Sequence, residues 1–316
     1  MNTQFALNVS NPIKESNKNV EMTLDISIVI PSYNRSQVVK ENVEKCMKLL
    51  PPAKEIILVD DYSDRESETV LQQLAASHSS IKYFRLIKNC GQATARSVGF
   101  SKATGKYIVS LDDDSWFIDN DGLQRVWERM ESLPGCGILA FETYGPTRAT
   151  KPEEDRLLLV ADHITCGAAY RTSVLNKTGY HLGFLRFMGE ESELSIKVMD
   201  AGFDIILDGS IRVYHDYDPE KRSRDSLAIV RYHGVRNDLV RAVIYFPFPL
   251  YIQLVLWRIY SHLKFALQNG FLLATIHGYL GFLMYLPAAF RSRKPVGLKV
   301  AKRYLELRRF PEPVNA

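Results

Sequence analysis

The 316-residue chain contains neither GxGxxG nor GxxxxGK[ST], which argues against dinucleotide oxidoreductases and P-loop enzymes. It has no GxSxG, and no serine or cysteine sits in a recognisable nucleophile setting. HExxH and the twelve-residue EF-hand loop are also missing, so structural zinc and that form of calcium binding are not expected. Cysteines are few: Cys46, Cys90, Cys136 and Cys166 show no CxxC or metal-finger spacing. Reduced thiols in a cytosolic compartment are the expectation. No apolar signal-type segment opens the chain, and residues 1–24 are expected to form a flexible leader. The first 220 residues carry a net charge of −8 and no basic stripe with interleaved aromatics, so nucleic acid is not an expected partner.

Residues 106–116, KYIVSLDDDSW, end an apolar run on three consecutive aspartates. Either they form a solvated turn, or a cation offsets their mutual repulsion. The flanking pattern bears on that choice. Strands are predicted over 25–30, 55–61, 81–87 and 105–112, with helices over 37–50, 65–77 and 92–103 between them. Such alternation indicates an α/β fold with an open, mostly parallel sheet flanked by helices. Ligands of such sheets sit at the carboxyl ends of the strands. Asp60-Asp61 closes the second strand and Asp112-Asp113-Asp114 the fourth, so both groups fall on one rim although about fifty residues apart.

Beyond the fourth strand the rhythm loosens. A helix is expected over 120–132, a strand over 135–145, an exposed segment at 150–156, and a strand leading into a helix within 162–175. A further helix begins near Glu190, two short strands are expected within 203–217, and 218–226 reads as a charged connector.

A strand-tip triple aspartate suits Mg²⁺ or Mn²⁺, which take oxygen ligands and let substrate phosphates complete the shell. His215, closing the VYH strand, is a further ligand candidate. Glu190-Glu191 has two readings. The pair satisfies the charge preference of a helix N-terminus, or it supplies a base whose pKa the neighbouring GFLRFMG raises. The remaining chemistry is metal-assisted transfer of a group from a phosphorylated donor.

Taken together, IVIPSYNR (28–35), VDDYSD (59–64), NCGQATARSVGFSKATGKYIVSLDDD (89–114), GEESEL (189–194) and VYH (213–215) resemble the inverting nucleotide-sugar glycosyltransferases of family 2, over roughly residues 25–237. The resemblance implies the GT-A fold. It implies that Pro31 and Tyr33 line the base pocket, with Tyr33 stacking on the base and Arg35 nearby in the donor region. Asp61 would accept from a uracil or thymine imide with Asp60 beside it, and Arg96 would help hold the donor. Asp112 and Asp114 match the DxD, with Asp114 the main metal ligand, Asp112 facing ribose or metal, Asp113 at the variable middle position and His215 completing the shell. Glu191 falls where the family usually carries aspartate, as the base, with Glu190 as runner-up. Inversion by a single displacement is implied as well.

From Lys221 onward, sixteen Lys or Arg face four Asp or Glu, a net +12, which suits an anionic partner. Residues 239–260 are apolar but contain two prolines, and 265–290 lack any charge yet carry Gln268, Asn269, His277 and three glycines. These segments either pack on the catalytic part or a second copy, lie on a membrane, or span it. The expected arrangement is attachment to the cytoplasmic face, with 291–294 and 299–309 on anionic headgroups. The QxxRW of processive synthases is missing, since Gln253 and Trp257-Arg258 have the wrong spacing.

The reading is therefore a Mn²⁺- or Mg²⁺-dependent, non-processive glycosyltransferase. It uses a UDP- or dTDP-sugar and a saccharide or lipid-linked acceptor. The expected parts are a catalytic domain over 25–225, split near 115, and an amphipathic helical region over 226–316 that associates with membrane or forms a homodimer. The rivals are an inactive membrane scaffold of the same fold and a nucleotidyltransferase. The latter lacks a basic glycine-rich loop after the first strand.

Overall fold

A computed structural model describes residues 23–146 and 156–314. The expected leader lies outside these residues except for Thr23 and Leu24, and the expected exposed segment 150–156 does so except for Arg156. Five strands and four helices build the first part: β1 (Leu24–Ser32), α1 (Ser36–Cys46), β2 (Ala53–Asp60), α2 (Arg65–Ser77), β3 (Ile81–Arg85), α3 (Gln92–Lys102), β4 (Tyr107–Leu111), β5 (Ser115–Phe117) and α4 (Gly122–Ser132). Then follow β6 (Cys136–Tyr144), β7 (Leu157–Leu159), β8 (Gly167–Arg171), α5 (Thr172–Thr178), α6 (Glu190–Asp200) and β9 (Asp204–His215). Four helices, α7 (Arg224–Tyr245), α8 (Leu250–Asn269), α9 (Leu272–Arg291) and α10 (Leu298–Leu307), precede a short β10 (Glu312–Pro313).

All strands join one sheet in the order β10-β7-β9-β6-β8-β4-β1-β2-β3, with β5 added to β9. The run β4-β1-β2-β3 is parallel, and β8 then pairs antiparallel with both β4 and β6. Successive β1 side chains alternate between faces. Ile26, Ile28 and Ile30 belong to the core shared with α1, α2 and α4, whereas Val29 belongs to the core on the other face, shared with α3, α5 and α6. Covering both faces explains why β1, β2 and β4 read as continuous apolar runs. α3 lies especially close to the sheet, because a Cβ at Gly99 would sit 2.3 Å from Val29 Cγ1.

Two elements differ from expectation. Within 203–217 there is one twelve-residue strand, β9, in place of two. Its Asp208-Gly209-Ser210 does not turn the chain. The register against β6 jumps from Phe141↔Asp208 to Glu142↔Arg212, and the Asp208 carboxylate accepts from the Ser210 amide and hydroxyl within the bulge. The short β5 carries no sequence signal, yet it pairs Ser115 with His215 and so sets the end of β9 beside the aspartates.

The C-terminal helices are not a separate body. α7 begins at Arg224, capped by the Ser223 hydroxyl accepting from the Ser226 amide, so the charged connector already enters a helix there. From Val235 to Tyr245 it shares a core with Leu185, Ile196, Phe282, Ala301 and Tyr304. The Pro247-Phe248-Pro249 stretch separates α7 from α8, and Gly270, at φ +70°, separates α8 from α9. α9 approaches α7 closely: a Cβ at Gly278 would lie 2.7 Å from Val235 Cβ, and one at Gly281 2.9 Å from the Tyr232 hydroxyl. Gly278→Leu should therefore cost about 1–3 kcal/mol through overpacking. A urea midpoint equal to the wild type would show that the α7–α9 contact is absent in solution.

On the outer side, α8 exposes Ile252, Leu256, Tyr260, Leu263 and Leu267, and α9 exposes Leu273, Ile276, Leu280 and Leu283. Each set recurs every three or four residues as a stripe, and on α8 Trp257 and Phe265 are exposed outside it. Among the described residues, α9 is the one helix long and apolar enough to cross a membrane.

Candidate active site

The carboxyl ends of β1, β2 and β4 open into a cleft of about 490 Å³ lined by Pro31, Tyr33, Arg35, Asp61, Asp112, Asp113, Asp114, Glu191 and His215. Thus the two acidic groups do share a rim, and Glu191 and His215 join them from more than seventy residues further along the chain. Tyr33 is half exposed at the cleft wall. The loops after β1 and β2 lock together: the Asn34 amide donates to Ser63 Oγ at 2.9 Å, and the Asp64 amide to Asn34 Oδ1 at 2.8 Å.

The aspartates do not point into bulk solvent. Asp113 and Asp114 are buried, and the Arg35 guanidinium bridges them at 2.6 and 3.0 Å. Burial pushes the Asp113 carboxyl up to about 7, against the pull of Arg35. For Asp114, burial acts in the same direction but is outweighed by the His215 hydrogen bond and Arg35, so its pKa falls below the ordinary value. His215 Nε2 lies 3.2 Å from Asp114 Oδ1 and 3.6 Å from Asp112 Oδ2. His215 thus lies between two carboxylates, and oxygen donors with one imidazole nitrogen are of the kind Mg²⁺ or Mn²⁺ accepts, while the ligand atoms grouped within 4.8 Å of one another are those of Asp112, Cys166 and His215. Asp112, Asp114 and His215 are the candidates to hold one.

Arg96 and Asp60 stand elsewhere than expected. Arg96 is fully buried beneath the cleft and does not line it. Its guanidinium donates to Asp112 Oδ1 and Ser110 Oγ, each at 2.5 Å, so it orients Asp112. Asp60 occupies the last position of β2 and turns inward, accepting from the Tyr83 hydroxyl, Arg85 and the Ser63 amide. Asp61, one residue past the strand, faces the cleft. Its two oxygens accept from the Cys90 and Gly91 amides at 2.7 and 2.8 Å, which ties it to the start of α3. Burial raises its pKa, with those amides opposing. Each oxygen keeps a second lone pair for a ligand.

Glu190 and Glu191 are separated by the helix they begin. Glu190 is fully buried behind the wall and accepts from Gln92 Nε2 at 2.5 Å. Glu191 faces the cleft, near Thr165 Oγ1 at 3.4 Å. Burial first, and the neighbouring Glu190 charge second, lift the Glu191 pKa well above the ordinary glutamate range.

The loop presenting Glu191 is held by α7, which the sequence did not signal. Arg186, Met188 and Gly189 have φ of +59°, +67° and +87°. Their neighbourhood is pinned by Asn237 Nδ2, which lies 2.9, 2.7 and 2.7 Å from the carbonyls of Leu185, Phe187 and Met188. Arg236 adds a bond to Leu185 O at 2.9 Å. Asn237→Ala leaves the Phe187 and Met188 carbonyls without that side-chain donor, Leu185 O keeping Arg236, and should cost about 1–3 kcal/mol. If the proposed role of Glu191 holds, transfer should also slow through displacement of the loop. Chemical denaturation together with kcat measurement tests this, and wild-type values for both would remove the clamp from the account. Arg222, stacked on Tyr217 at 4.6 Å, also reaches the cleft from the segment read as a connector; its cationic run was the available signal.

The fold is of the GT-A type. It superposes on GalNAc-T7 solved with UDP, GalNAc and Mn²⁺ with a TM-score of 0.58 at 18% identity, over 72% of this chain and 49% of that one. The sequence model of glycosyl transferase family 2 matches residues 27–187, about half of the chain, and the chain belongs to that family. It is 33% identical over 151 residues to TuaG of Bacillus subtilis, described as a glycosyltransferase of teichuronic acid biosynthesis, covering 48% of this chain and 58% of that protein. It is 39% identical over 138 residues to the undecaprenyl-phosphate 4-deoxy-4-formamido-L-arabinose transferase of Enterobacter sp. strain 638, covering 42% and 40%. The chain thus matches about half of each relative's length.

Proposed function

We propose that this chain moves one sugar from a UDP- or dTDP-sugar to a hydroxyl of a saccharide or lipid-linked acceptor, inverting the anomeric centre. The observation that carries this reading is the meeting of Tyr33, Asp61, the Asp112–Asp114 tip and Glu191 in one cleft. Tyr33 stacks on the base and Asp61 accepts from its imide. Arg35 and Arg222 present positive charge where the diphosphate lies. A Mn²⁺ or Mg²⁺ held by Asp114, Asp112 and His215 would stabilise charge on the leaving diphosphate. Glu191 takes the acceptor's proton as that oxygen bonds to the anomeric carbon. The bond from carbon to phosphate oxygen breaks from the opposite side, and its electron pair leaves with the diphosphate. The relatives named for teichuronic acid biosynthesis and for transfer to undecaprenyl phosphate support a cell-envelope acceptor. A thermal-shift screen of nucleotide sugars with and without Mn²⁺ tests the donor side. The true donor at 100 times its Kd should stabilise the protein by about 2.7 kcal/mol. No shift and no sugar release with any of them would sink the reading in favour of an inactive scaffold.

The same reading places 25–225 as the catalytic part and the remaining helices on the cytoplasmic face of a membrane. The apolar stripes of α8 and α9 enter the lipid surface, and exposed Lys294, Lys299, Lys302, Arg308 and Arg309 meet anionic headgroups. Arg293, expected among the headgroup contacts, is instead tied to the carbonyls of Val243 and Phe246. Since α9 buries Gly278, Gly281 and Phe282 against neighbouring helices, an arrangement lying on the surface suits it better than one exposed to lipid all round. The full chain should float with phosphatidylglycerol vesicles, and Leu256→Asp with Leu280→Asp should abolish flotation. Equal flotation of both proteins would reject this face as the anchor.

A further inference from the structure

We propose that Cys166, His215 and Asp112 form a second, thiophilic cation position at the edge of the cleft, suited to Zn²⁺, whose filling excludes the Mn²⁺ or Mg²⁺ arrangement. One ligand atom from each residue lies within 4.8 Å of the other two. Cys166 Sγ is 3.4 Å from His215 Nδ1. A tetrahedral ion with Zn–S of about 2.3 Å and Zn–N of about 2.0–2.1 Å would hold those atoms about 3.6 Å apart, so the pair is already near binding distance.

The two ring nitrogens of His215 face different partners. Nδ1 meets the thiol, whereas Nε2 meets Asp114 Oδ1 at 3.2 Å and, more loosely, Asp112 Oδ2 at 3.6 Å, so Asp112 must turn toward the thiol side to complete the position. A histidine that binds metal through one nitrogen commonly donates the other N–H to a carboxylate, which fixes its tautomer and ring orientation. Asp114 supplies that carboxylate. In the Mn²⁺ arrangement of the proposed function Asp114 is a ligand; in this one it is the partner of a ligand.

The frame around the three residues comes from three strands. Cys166 immediately precedes β8, with its carbonyl accepting from Ser115 Oγ at 2.9 Å and the next residue, Gly167, registered on Leu111 of β4. His215 is placed by its pairing with Ser115 of β5. Asp112 is oriented from below by Arg96. Asp112 and His215 line the cleft, so an ion has a path to the buried thiol.

The donor chemistry separates the two positions. A thiolate selects Zn²⁺ or Co²⁺ over Mg²⁺, and Zn²⁺ binds mixed N/O/S sites more tightly than Mn²⁺ does. Binding expels the Cys166 proton to solvent as the S–metal bond forms. Because Asp112 and His215 are shared, Zn²⁺ should compete with Mn²⁺ in the enzyme.

The ion position stands on its own geometry; only the competition with Mn²⁺ rests on the proposed function. Co²⁺ added to the metal-free full chain should give a near-ultraviolet sulfur-to-cobalt charge-transfer band that saturates at one equivalent. Cys166→Ser should lose the band, whereas a protein with Ser at 46, 90 and 136 should keep it. Zn²⁺ should bleach the band, and Mg²⁺ should not. No band in the wild type, or a band that survives Cys166→Ser, overturns the proposal whether or not any sugar transfer is found. In the active enzyme, Cys166→Ser should raise the Zn²⁺ concentration for half inhibition at least tenfold, and an unchanged value would overturn the shared-ligand part.

Discussion

Glu191→Gln should lower kcat for sugar transfer by about 10²–10⁴-fold while leaving nucleotide-sugar affinity within about twofold. The amide keeps the shape of the side chain at the cleft wall but cannot take the acceptor's proton. Donor affinity is expected to survive because the groups assigned to the donor, Tyr33, Asp61 and the Asp112–Asp114 tip, stand on other strand ends. Glu190→Gln provides the contrast. That residue is buried behind the wall on Gln92, so its loss should act on stability more than on kcat. The sign of the pH dependence follows from burial. The Glu191 carboxyl is held above the ordinary glutamate range, and only its ionised form can act as base. Transfer should rise with pH through a region above about 4.3, the pKa of an unperturbed glutamate. Full activity in Glu191→Gln, or a rate already at its plateau near pH 5, would remove the residue from the base role.

Glu193→Ala should destabilise the protein by about 3–5 kcal/mol, the usual cost of removing one partner from a buried charge pair. Glu193 is fully buried and accepts from the Leu182 amide at 3.0 Å, Lys197 Nζ at 3.0 Å and the Tyr245 hydroxyl at 2.9 Å. Burial alone would raise its pKa, but His181, Lys197 and the Leu182 amide more than offset that and hold it near 2. A carboxylate with a depressed native pKa contributes stability above its unfolded pKa, and the contribution fades as pH falls toward 2. The stability gap between wild type and Glu193→Ala should therefore be full at pH 7 and shrink through the range below pH 4. Guanidinium denaturation at several pH values measures both effects. A gap under 1 kcal/mol at neutral pH would show that this joint between α6 and α7 carries little of the fold.

The parallel core of the sheet was legible in the chain because β1, β2 and β4 are covered on both faces and so must be apolar throughout. The shared rim of Asp61 and Asp112–Asp114 followed from strand polarity alone. Local patterning could not separate neighbours such as Asp60 and Asp61, since one residue at a strand's end decides between the sheet interior and the cleft. It also could not reveal that Arg96 lies beneath Asp112, because burial of a guanidinium depends on how α3 packs against the end of β4. The bulge that keeps β9 continuous was hidden for a related reason. Asp-Gly-Ser is turn chemistry until pairing with β6 holds the strand straight on either side.

By itself, then, the sequence determined the fold class, the strand ends that carry the acidic groups and the family to which the chain belongs, since these depend on periodicity and short motifs. Tertiary structure alone decided which carboxylates face the cleft, how a three-residue strand brings His215 to Asp114, and how Asn237 of a C-terminal helix holds the loop before Glu191. Those outcomes rest on hydrogen bonds and packing between residues about fifty to one hundred positions apart, which no local pattern encodes.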